Sequence, residues 1–164
     1  MGLTKPIEQI LLSYQGTFMY LKNIIRGETL MNYSMLAQSA LQARQSAYAP
    51  YSHFTVGAAL LCADGTVYTG SNIENGAFTP SNCAERTAFF TAVHAGQRTF
   101  TAIAIAGAEA AESIPQKLCP PCGVCLQVMA EFCDSQAFEI ILVKNETDFE
   151  VHLLGELLPF GFRL

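Results

Sequence analysis

The chain is short of charged residues, and this shortage excludes several classes of protein. Asp, Glu, Lys and Arg make up 14% of its 164 residues, against about 25% in an average globular chain. Lys and Arg total nine and form no basic run, and the net charge is −5. We therefore expect no nucleic-acid partner, because phosphate binding depends on clustered Lys and Arg. The shortage of charge favours a subunit that buries part of its surface against copies of itself.

The chain also lacks a secretory signal and a hydrophobic run that could cross a membrane. The longest uncharged run, residues 45–63, contains Gln, Ser, His, Pro and Thr, which a membrane span would avoid. We therefore expect a cytoplasmic protein with no membrane partner. Six cysteines lie between Cys62 and Cys133. In a reducing compartment, cysteines more often bind metal or take part in chemistry than form structural disulfides.

The length suits one domain, and no repeat or low-complexity tract interrupts it. We expect the domain to span residues 31–164, with residues 1–30 as an N-terminal extension. Two interpretations of the extension stay open. Apolar residues from Ile7 to Ile25 have helix-like spacing and indicate a genuine helix. Alternatively, the true start is Met31 and the preceding residues are translated from a leader.

The pattern of apolar residues predicts five strands and three helices in the domain. A first helix opens near residue 34, with Ser34 as its N-cap. The other predicted helices cover Asn82–Ala95 and Cys122–Phe132, the latter with Val124 among its inward side chains. The predicted strands are Phe54–Cys62, Val67–Ile73, Thr101–Ala106, Phe138–Val143 and Phe149–Leu153. A β-hairpin followed by α-β-α-β predicts an α/β fold of three α/β/α layers around a mixed five-stranded sheet.

Three cysteines at predicted helix starts have the spacing of a metal site. Cys122 and Cys125 are three residues apart, so they share one face of the first helical turn. Cys83 supplies a third sulfur from the start of another helix. Three thiolates suit zinc, which prefers sulfur ligands in tetrahedral geometry. Three protein ligands leave a fourth position for water, as in catalytic zinc sites.

Two charged residues follow Cys83 and complete a candidate catalytic centre. Zinc can lower the pKa of a bound water to about 7, and Glu85 is placed to accept and pass on the proton. Cys83 and Glu85 can share one centre only at a helix end, where their segment lies. Arg86 can donate to a thiolate and offset the excess negative charge of the three sulfurs. The positive ends of both helices offset more of it.

These motifs resemble the zinc-dependent cytidine deaminases, whose pattern combines a Cys/His-x-Glu segment with a downstream Pro-Cys-x-x-Cys. The first motif here is Cys83-Ala84-Glu85-Arg86, and the second runs from Pro121 to Cys125. The resemblance extends to Phe54–Leu60, Asn72–Asn75 and Leu157–Phe162. A cysteine as first ligand resembles the small homotetrameric branch of the family, which acts on free cytidine and deoxycytidine.

The resemblance implies a reaction and a set of contacts. Zinc-bound hydroxide attacks C4 of the cytosine ring, and Glu85 carries protons to N3 and then to the departing ammonia. The product is uridine or deoxyuridine, made in pyrimidine salvage. Phe54 and the backbone of Ala84 would contact the base, and Asn72 and Glu74 the ribose hydroxyls. Phe162 would enter the active site of a neighbouring subunit of the homotetramer.

Several simpler interpretations stay open. The cysteines could form a structural zinc site, and Cys119-Pro120-Pro121-Cys122 has the spacing of a redox pair. Asn72 and Glu74 could be turn residues that close a strand. Rival functions are deamination of a cytosine-bearing antibiotic such as blasticidin S, zinc-stabilised binding without turnover, and thiol oxidoreduction. Because Glu74 near the sugar would repel a 5′-phosphate, we expect a nucleoside rather than a nucleotide as the substrate.

Overall fold

The computed structural model describes residues 33–163, so the expectations for residues 1–30 lie outside the described chain. The described residues begin in a helix, α1, at 33–43, followed by a single 3-10 turn at Arg44–Ser46. Ser34 is not the N-cap predicted for α1, because the preceding residue is already helical. The division of the chain at residue 31 stays a prediction.

Five strands and three further helices follow in an alternating order. They are β1 (Phe54–Cys62), β2 (Val67–Ser71), α2 (Ala84–His94), β3 (Phe100–Glu109), α3 (Gly123–Phe132), β4 (Glu139–Val143), β5 (Phe149–Leu153) and α4 (Leu154–Leu157). The sheet order is β2-β1-β3-β4-β5. Strands β3 and β4 are parallel, and the other neighbouring pairs are antiparallel. The predicted mixed five-stranded sheet is confirmed.

Helices cover both faces of the sheet. They can do so because successive residues of the central strands are apolar and point to opposite faces, so that each face is apolar. In β3, Ile103 and Ile105 face the core shared with α2 and α3, whereas Ala102, Ala104 and Ala106 face the core shared with α1. Successive strand residues point to opposite faces, so this alternation builds two cores. The structure therefore has the predicted three α/β/α layers.

Two glycines let helices lie close on the two faces of the sheet. A Cβ added to Gly57 would lie 2.1 Å from the Ala40 carbonyl oxygen, under α1. A Cβ on Gly70 would lie 2.4 Å from the Ala84 carbonyl oxygen, at the start of α2. Both contacts involve backbone, which cannot move as a flexible side chain can. Glycine at these positions therefore sets how closely α1 and α2 approach the sheet.

Several sequence-based predictions differ from the structure. Helices α2 and α3 and strand β4 each begin one or two residues later than predicted, and the short helix α4 was not predicted. Strand β2 ends at Ser71 because Ile73 leaves the ladder and exchanges backbone hydrogen bonds with Asn82 instead. Strand β3 runs on to Glu109, since β1 pairs with it over its whole length. Val124 is 59% exposed rather than buried, because α3 turns Cys125 and Met129 towards the core.

The chain topology brings both sulfur-bearing helix starts to one edge of the sheet. Strands β2 and β3 both run antiparallel to β1, so their carboxyl ends lie at the same edge. Helix α2 follows β2, and α3 follows β3. Crevices at the carboxyl ends of strands are the common place for ligand sites in open α/β sheets. Among residues 33–163, no helix is both long and apolar enough to cross a membrane.

Candidate active site

Three cysteine sulfurs converge at the edge where α2 and α3 begin. The Sγ atoms of Cys83, Cys122 and Cys125 all lie within 4.8 Å of one another. The Cys83–Cys122 distance is 3.9 Å, and the Cys122–Cys125 distance is 3.5 Å. Within the described part of the chain, no other group of three His, Cys, Asp or Glu side chains gathers in this way. The cluster unites the two motifs that the sequence analysis singled out.

The helix starts orient these sulfurs. Cys83 is the N-cap of α2 and Cys122 the N-cap of α3, both with extended backbone. Neither side chain bonds to the first-turn amides, so both sulfurs remain directed at the centre. Cys125 lies in the first turn of α3 and is 1% exposed. Both helix N-termini thus bring partial positive charge to the sulfurs.

Arg86 supports the cluster from the first turn of α2. Its Nη2 donates to the Ser81 carbonyl at 3.4 Å and lies 3.6 Å from Cys83 Sγ. Its Nε is buried, and among the described residues it has no hydrogen-bond partner. The guanidinium therefore offsets negative charge on the sulfurs.

The thiols of Cys83 and Cys125 differ in pKa because a hydrogen bond joins them. A hydrogen bond from the Cys125 thiol, with a further one from Arg86, lowers the pKa of Cys83 to about 5. The hydrogen bond to Cys83, together with burial, raises the pKa of Cys125. Thiolate is the form of cysteine that binds metal, so Cys83 is prepared as a ligand.

Glu85 lies beside the sulfurs and is almost completely enclosed, with 5% of its surface exposed. It occupies the first turn of α2 between the buried Ala84 and Ala88. Burial, with a smaller contribution from the Cys83 thiolate, raises the pKa of its carboxyl. A carboxylate is rarely buried without a role or a charged partner. The acid–base role predicted for Glu85 stays a prediction, and its burial beside the sulfurs is consistent with it.

The donor set fits zinc. Zinc prefers thiolate ligands in tetrahedral geometry, and catalytic sites use three protein ligands and keep one position open. Cys83, Cys122 and Cys125 supply three sulfurs close enough to share one ion. The nearby Arg86 and the two helix N-termini compensate the third thiolate. These three residues would therefore hold one Zn²⁺ per chain, with Glu85 beside it.

Asn72 and Glu74, predicted to contact ribose, also hold the backbone around β1. The Asn72 side chain bonds to the backbone of Phe54 and Val56. One carboxylate oxygen of Glu74 accepts hydrogen bonds from the amides of Tyr51 and Ser52, at 2.9 and 3.2 Å. Both side chains therefore bind backbone at or just before the start of β1. Their contact with a sugar stays a prediction.

The remaining predicted contacts have different surroundings. The Ala84 side chain is fully buried, and its carbonyl oxygen lies against Gly70. Phe162 is 64% exposed, and its carbonyl accepts a hydrogen bond from Gln127 Nε2 at 2.8 Å. Arg163 donates to carbonyls at the end of α3. The tail is thus tied to α3 with an exposed aromatic ring. The roles of Ala84 and Phe162 towards substrate stay predictions.

Sequence reasoning missed the environment of Cys119. A Cβ on Gly107 would lie 2.6 Å from Cys119 Sγ and 3.0 Å from Cε1 of Phe54, so these two side chains meet over Gly107. A glycine inside an apolar strand is a sign of such close approach, and Gly107 stands in that position. Burial raises the pKa of the Cys119 thiol to about 11. Cys122 clusters with Cys83 and Cys125, and Cys119 lies outside this cluster, which disfavours a Cys119–Cys122 redox pair.

Three clustered sulfurs with an adjacent buried carboxyl are the arrangement expected of a zinc-dependent hydrolytic enzyme. A family model described as the cytidine and deoxycytidylate deaminase zinc-binding region matches residues 5–118. The match includes Cys83 and Glu85 and ends before Cys122. It also covers most of residues 1–30, so it does not separate that stretch from the domain.

Individual relatives agree with the family model. The chain is 47% identical over 133 residues to a cytidine deaminase of Sporosarcina psychrophila, covering 80% of this chain and 92% of the relative. It is 46% identical to a cytidine deaminase of Halalkalibacterium halodurans, covering 80% and 95%. The crystal structure of a cytidine deaminase from Burkholderia pseudomallei superimposes with a TM-score of 0.70 at 44% identity, covering 78% and 97%. The chain belongs to the zinc-binding cytidine deaminase family.

Proposed function

We propose that this protein deaminates cytidine and deoxycytidine by hydrolysis, releasing ammonia and forming uridine and deoxyuridine in pyrimidine salvage. The observation that carries the proposal is the convergence of three cysteine sulfurs beside a buried glutamate. Relatives named cytidine deaminase match most of the chain and support the same reaction. We also propose a cytoplasmic location, since cysteines in a reducing compartment more often bind metal than form disulfides.

In this proposal the cysteines bind the metal and Glu85 transfers protons. Zinc held by the three cysteines would supply Lewis-acid activation of water near neutral pH. Glu85 accepts the proton that the attacking water loses and delivers it to N3 of the cytosine ring. After the water oxygen has bonded to C4, Glu85 takes the second proton from the C4 hydroxyl and delivers it to the exocyclic nitrogen. The C4–N bond then breaks, ammonia leaves and the C4 carbonyl forms. Arg86 keeps the sulfurs ionised, and Phe54 packs against the base.

A nucleoside is the expected substrate, and its 5′-monophosphate is not. Glu74 lies on the segment proposed to hold the sugar, with its carboxylate fixed by two backbone amides. A 5′-phosphate would meet this negative charge, and juxtaposed like charges disfavour binding. We expect kcat/KM for cytidine to exceed that for CMP by about 10²-fold or more.

The measurement is the fall in absorbance as cytosine becomes uracil, with ammonia release as a second readout. A panel of cytidine, deoxycytidine, CMP and blasticidin S compares the nucleosides with the alternatives. Equal turnover of cytidine and CMP would contradict the proposed sugar site. Preference for blasticidin S would favour the antibiotic deaminase instead.

We further propose a homotetramer whose active sites are shared between subunits. The support is the low content of charge and the exposure of aromatic residues near the carboxyl end, where Phe160 is 94% and Phe162 64% exposed. Large exposed apolar groups mark interaction sites. Light scattering after size exclusion is expected to give about four times the 17.8 kDa chain mass. A monomer that retains full activity would contradict the shared site.

A further inference from the structure

Among residues 33–163, no strand lies beside the first residues of β1 on one side. The β1–β2 pairing begins with Gly57 opposite Ser71, where β2 ends. On that side, the backbone of Phe54, Thr55 and Val56 lies beyond the end of the ladder. Polar backbone groups in a partly buried position need other partners.

The Asn72 side chain supplies these partners. Its Oδ1 accepts a hydrogen bond from the Val56 amide at 2.8 Å, and its Nδ2 donates to the Phe54 carbonyl at 2.9 Å. The Asn72 backbone amide also donates to the Val56 carbonyl at 3.2 Å. One amide side chain therefore continues the ladder past the end of β2 and fixes the backbone around Thr55.

The backbone fixed in this way carries the Phe54 ring. The Phe54 amide donates to Ser52 Oγ at 3.0 Å, so side chains bind both of its backbone polar groups. The ring lies over Gly107 beside Cys119, which is three residues before the zinc ligand Cys122. A shift of the Phe54 backbone would therefore move the ring relative to the metal centre.

We infer that Asn72 is a positioning residue that acts through Phe54, in addition to any contact that it makes with the sugar. The inference rests on the proposed deaminase function, because Phe54 matters to catalysis only if a base binds against it. The part of the Asn72 effect on catalysis that acts through Phe54 should not depend on the sugar hydroxyls.

A comparison of two nucleoside substrates distinguishes positioning of Phe54 by Asn72 from direct contact of Asn72 with the sugar hydroxyls. Cytidine has the 2′- and 3′-hydroxyls, and 2′,3′-dideoxycytidine lacks both. A small displacement of a positioned group can lower the rate by up to about 10²-fold. We expect Asn72→Ala to lower kcat/KM by about 10- to 100-fold on both nucleosides, with an effect on kcat as well as KM. A loss confined to cytidine would mean that Asn72 only contacts hydroxyls, and the inference would be wrong.

Asn145→Ala is the matched control. The Asn145 side chain also bonds to backbone, accepting from the amides of Thr147 and Asp148 at 2.9 Å, but it lies in the turn between β4 and β5. We expect this variant to keep wild-type kinetics on both nucleosides. An equal loss in Asn145→Ala would show that the effect is general destabilisation, which overturns the inference.

A double-mutant cycle tests whether Asn72 acts through Phe54. If it does, Asn72→Ala should cost much less in a Phe54→Leu background than in the wild type, because residues that act together are not additive. Full additivity of the two substitutions would contradict the inference.

Amide hydrogen exchange gives a readout independent of activity. We expect Asn72→Ala to accelerate exchange at Val56 by at least about 10-fold and Asn145→Ala to leave it unchanged. Unchanged exchange at Val56 in Asn72→Ala would refute the structural part of the inference. If the wild type turned over neither nucleoside, the proposed function would fail and the catalytic part of the inference with it, while the exchange data would still decide the structural part.

Discussion

Replacement of Glu85 by glutamine is expected to lower kcat for cytidine by about 10⁴-fold, the upper range for loss of a general acid–base group. Glu85 is 5% exposed and follows Cys83 by two residues at the start of α2, so bulk water cannot easily replace it as a proton carrier. Glutamine has a similar shape but cannot accept and release the proton. The variant should therefore fold and bind substrate, yet fail at the proton transfers.

Zinc content distinguishes a failure of proton transfer in Glu85→Gln from loss of the metal. Glu85 is not one of the three clustered sulfur donors, so Glu85→Gln should retain one zinc per chain by elemental analysis. Glu131→Gln, on the exposed side of α3, is the control for removal of one carboxylate and should keep full activity. Unimpaired turnover in Glu85→Gln would favour a zinc-stabilised binding protein and contradict the proposed mechanism.

Replacement of Cys122 by serine is expected to abolish activity through loss of the metal. A hydroxyl is a poor ligand for zinc compared with a thiolate. Mutations in the outer shell of a zinc site already cost 10- to 100-fold in affinity, so loss of a ligand should cost at least about 100-fold. We expect the variant to lose zinc on dialysis against a chelator that leaves the wild type loaded.

Loss of zinc should also lower the stability of the fold. A ligand present at about 1,000 times its dissociation constant stabilises the folded state by about 4 kcal/mol. Cys122 and Cys83 cap two different helices, so the ion would cross-link α2 to α3. Thermal unfolding of Cys122→Ser should therefore occur at a lower temperature than that of the zinc-loaded wild type.

Two other cysteines serve as controls for this experiment. Cys62 is buried at the end of β1, and Cys62→Ser should keep both zinc and activity. Cys119→Ser should keep zinc, because Cys119 lies outside the sulfur cluster. Activity that survives metal removal but requires Cys119 would instead support a thiol oxidoreductase.

The sequence predicted most of the fold because its local patterns agree with the tertiary contacts. The predicted bounds of β1 and β5 are those of the structure, since turn residues flank β1 and polar residues precede β5. Gly65 and Gly96 adopt positive φ, at 87° and 98°, in the predicted hairpin turn and after α2. Such positions favour glycine, so sequence alone can locate them.

The differences arise where long-range contacts decided the outcome. The end of β2 depends on Asn82, nine residues beyond Ile73 in the chain, and the length of β3 depends on its pairing with β1. Val124 is apolar but exposed because Cys125 occupies the inward direction at that turn of α3. The local sequence pattern alone does not determine which of these contacts form.

The chemistry of the centre was determined by the sequence itself. Thiolates select zinc by their softness, and the spacing of Cys122 and Cys125, with Glu85 two residues after Cys83, is local geometry at a helix start. Tertiary structure decided which groups meet there. It brought the Sγ atom of Cys83 to 3.9 Å from that of Cys122, 39 residues along the chain. It also placed Phe54 beside Cys119 and the Asn72 side-chain amide within hydrogen-bonding distance of the β1 backbone. These contacts depend on the antiparallel placement of β1 between β2 and β3, because that order sets the start of β1 and both helix starts at one edge of the sheet.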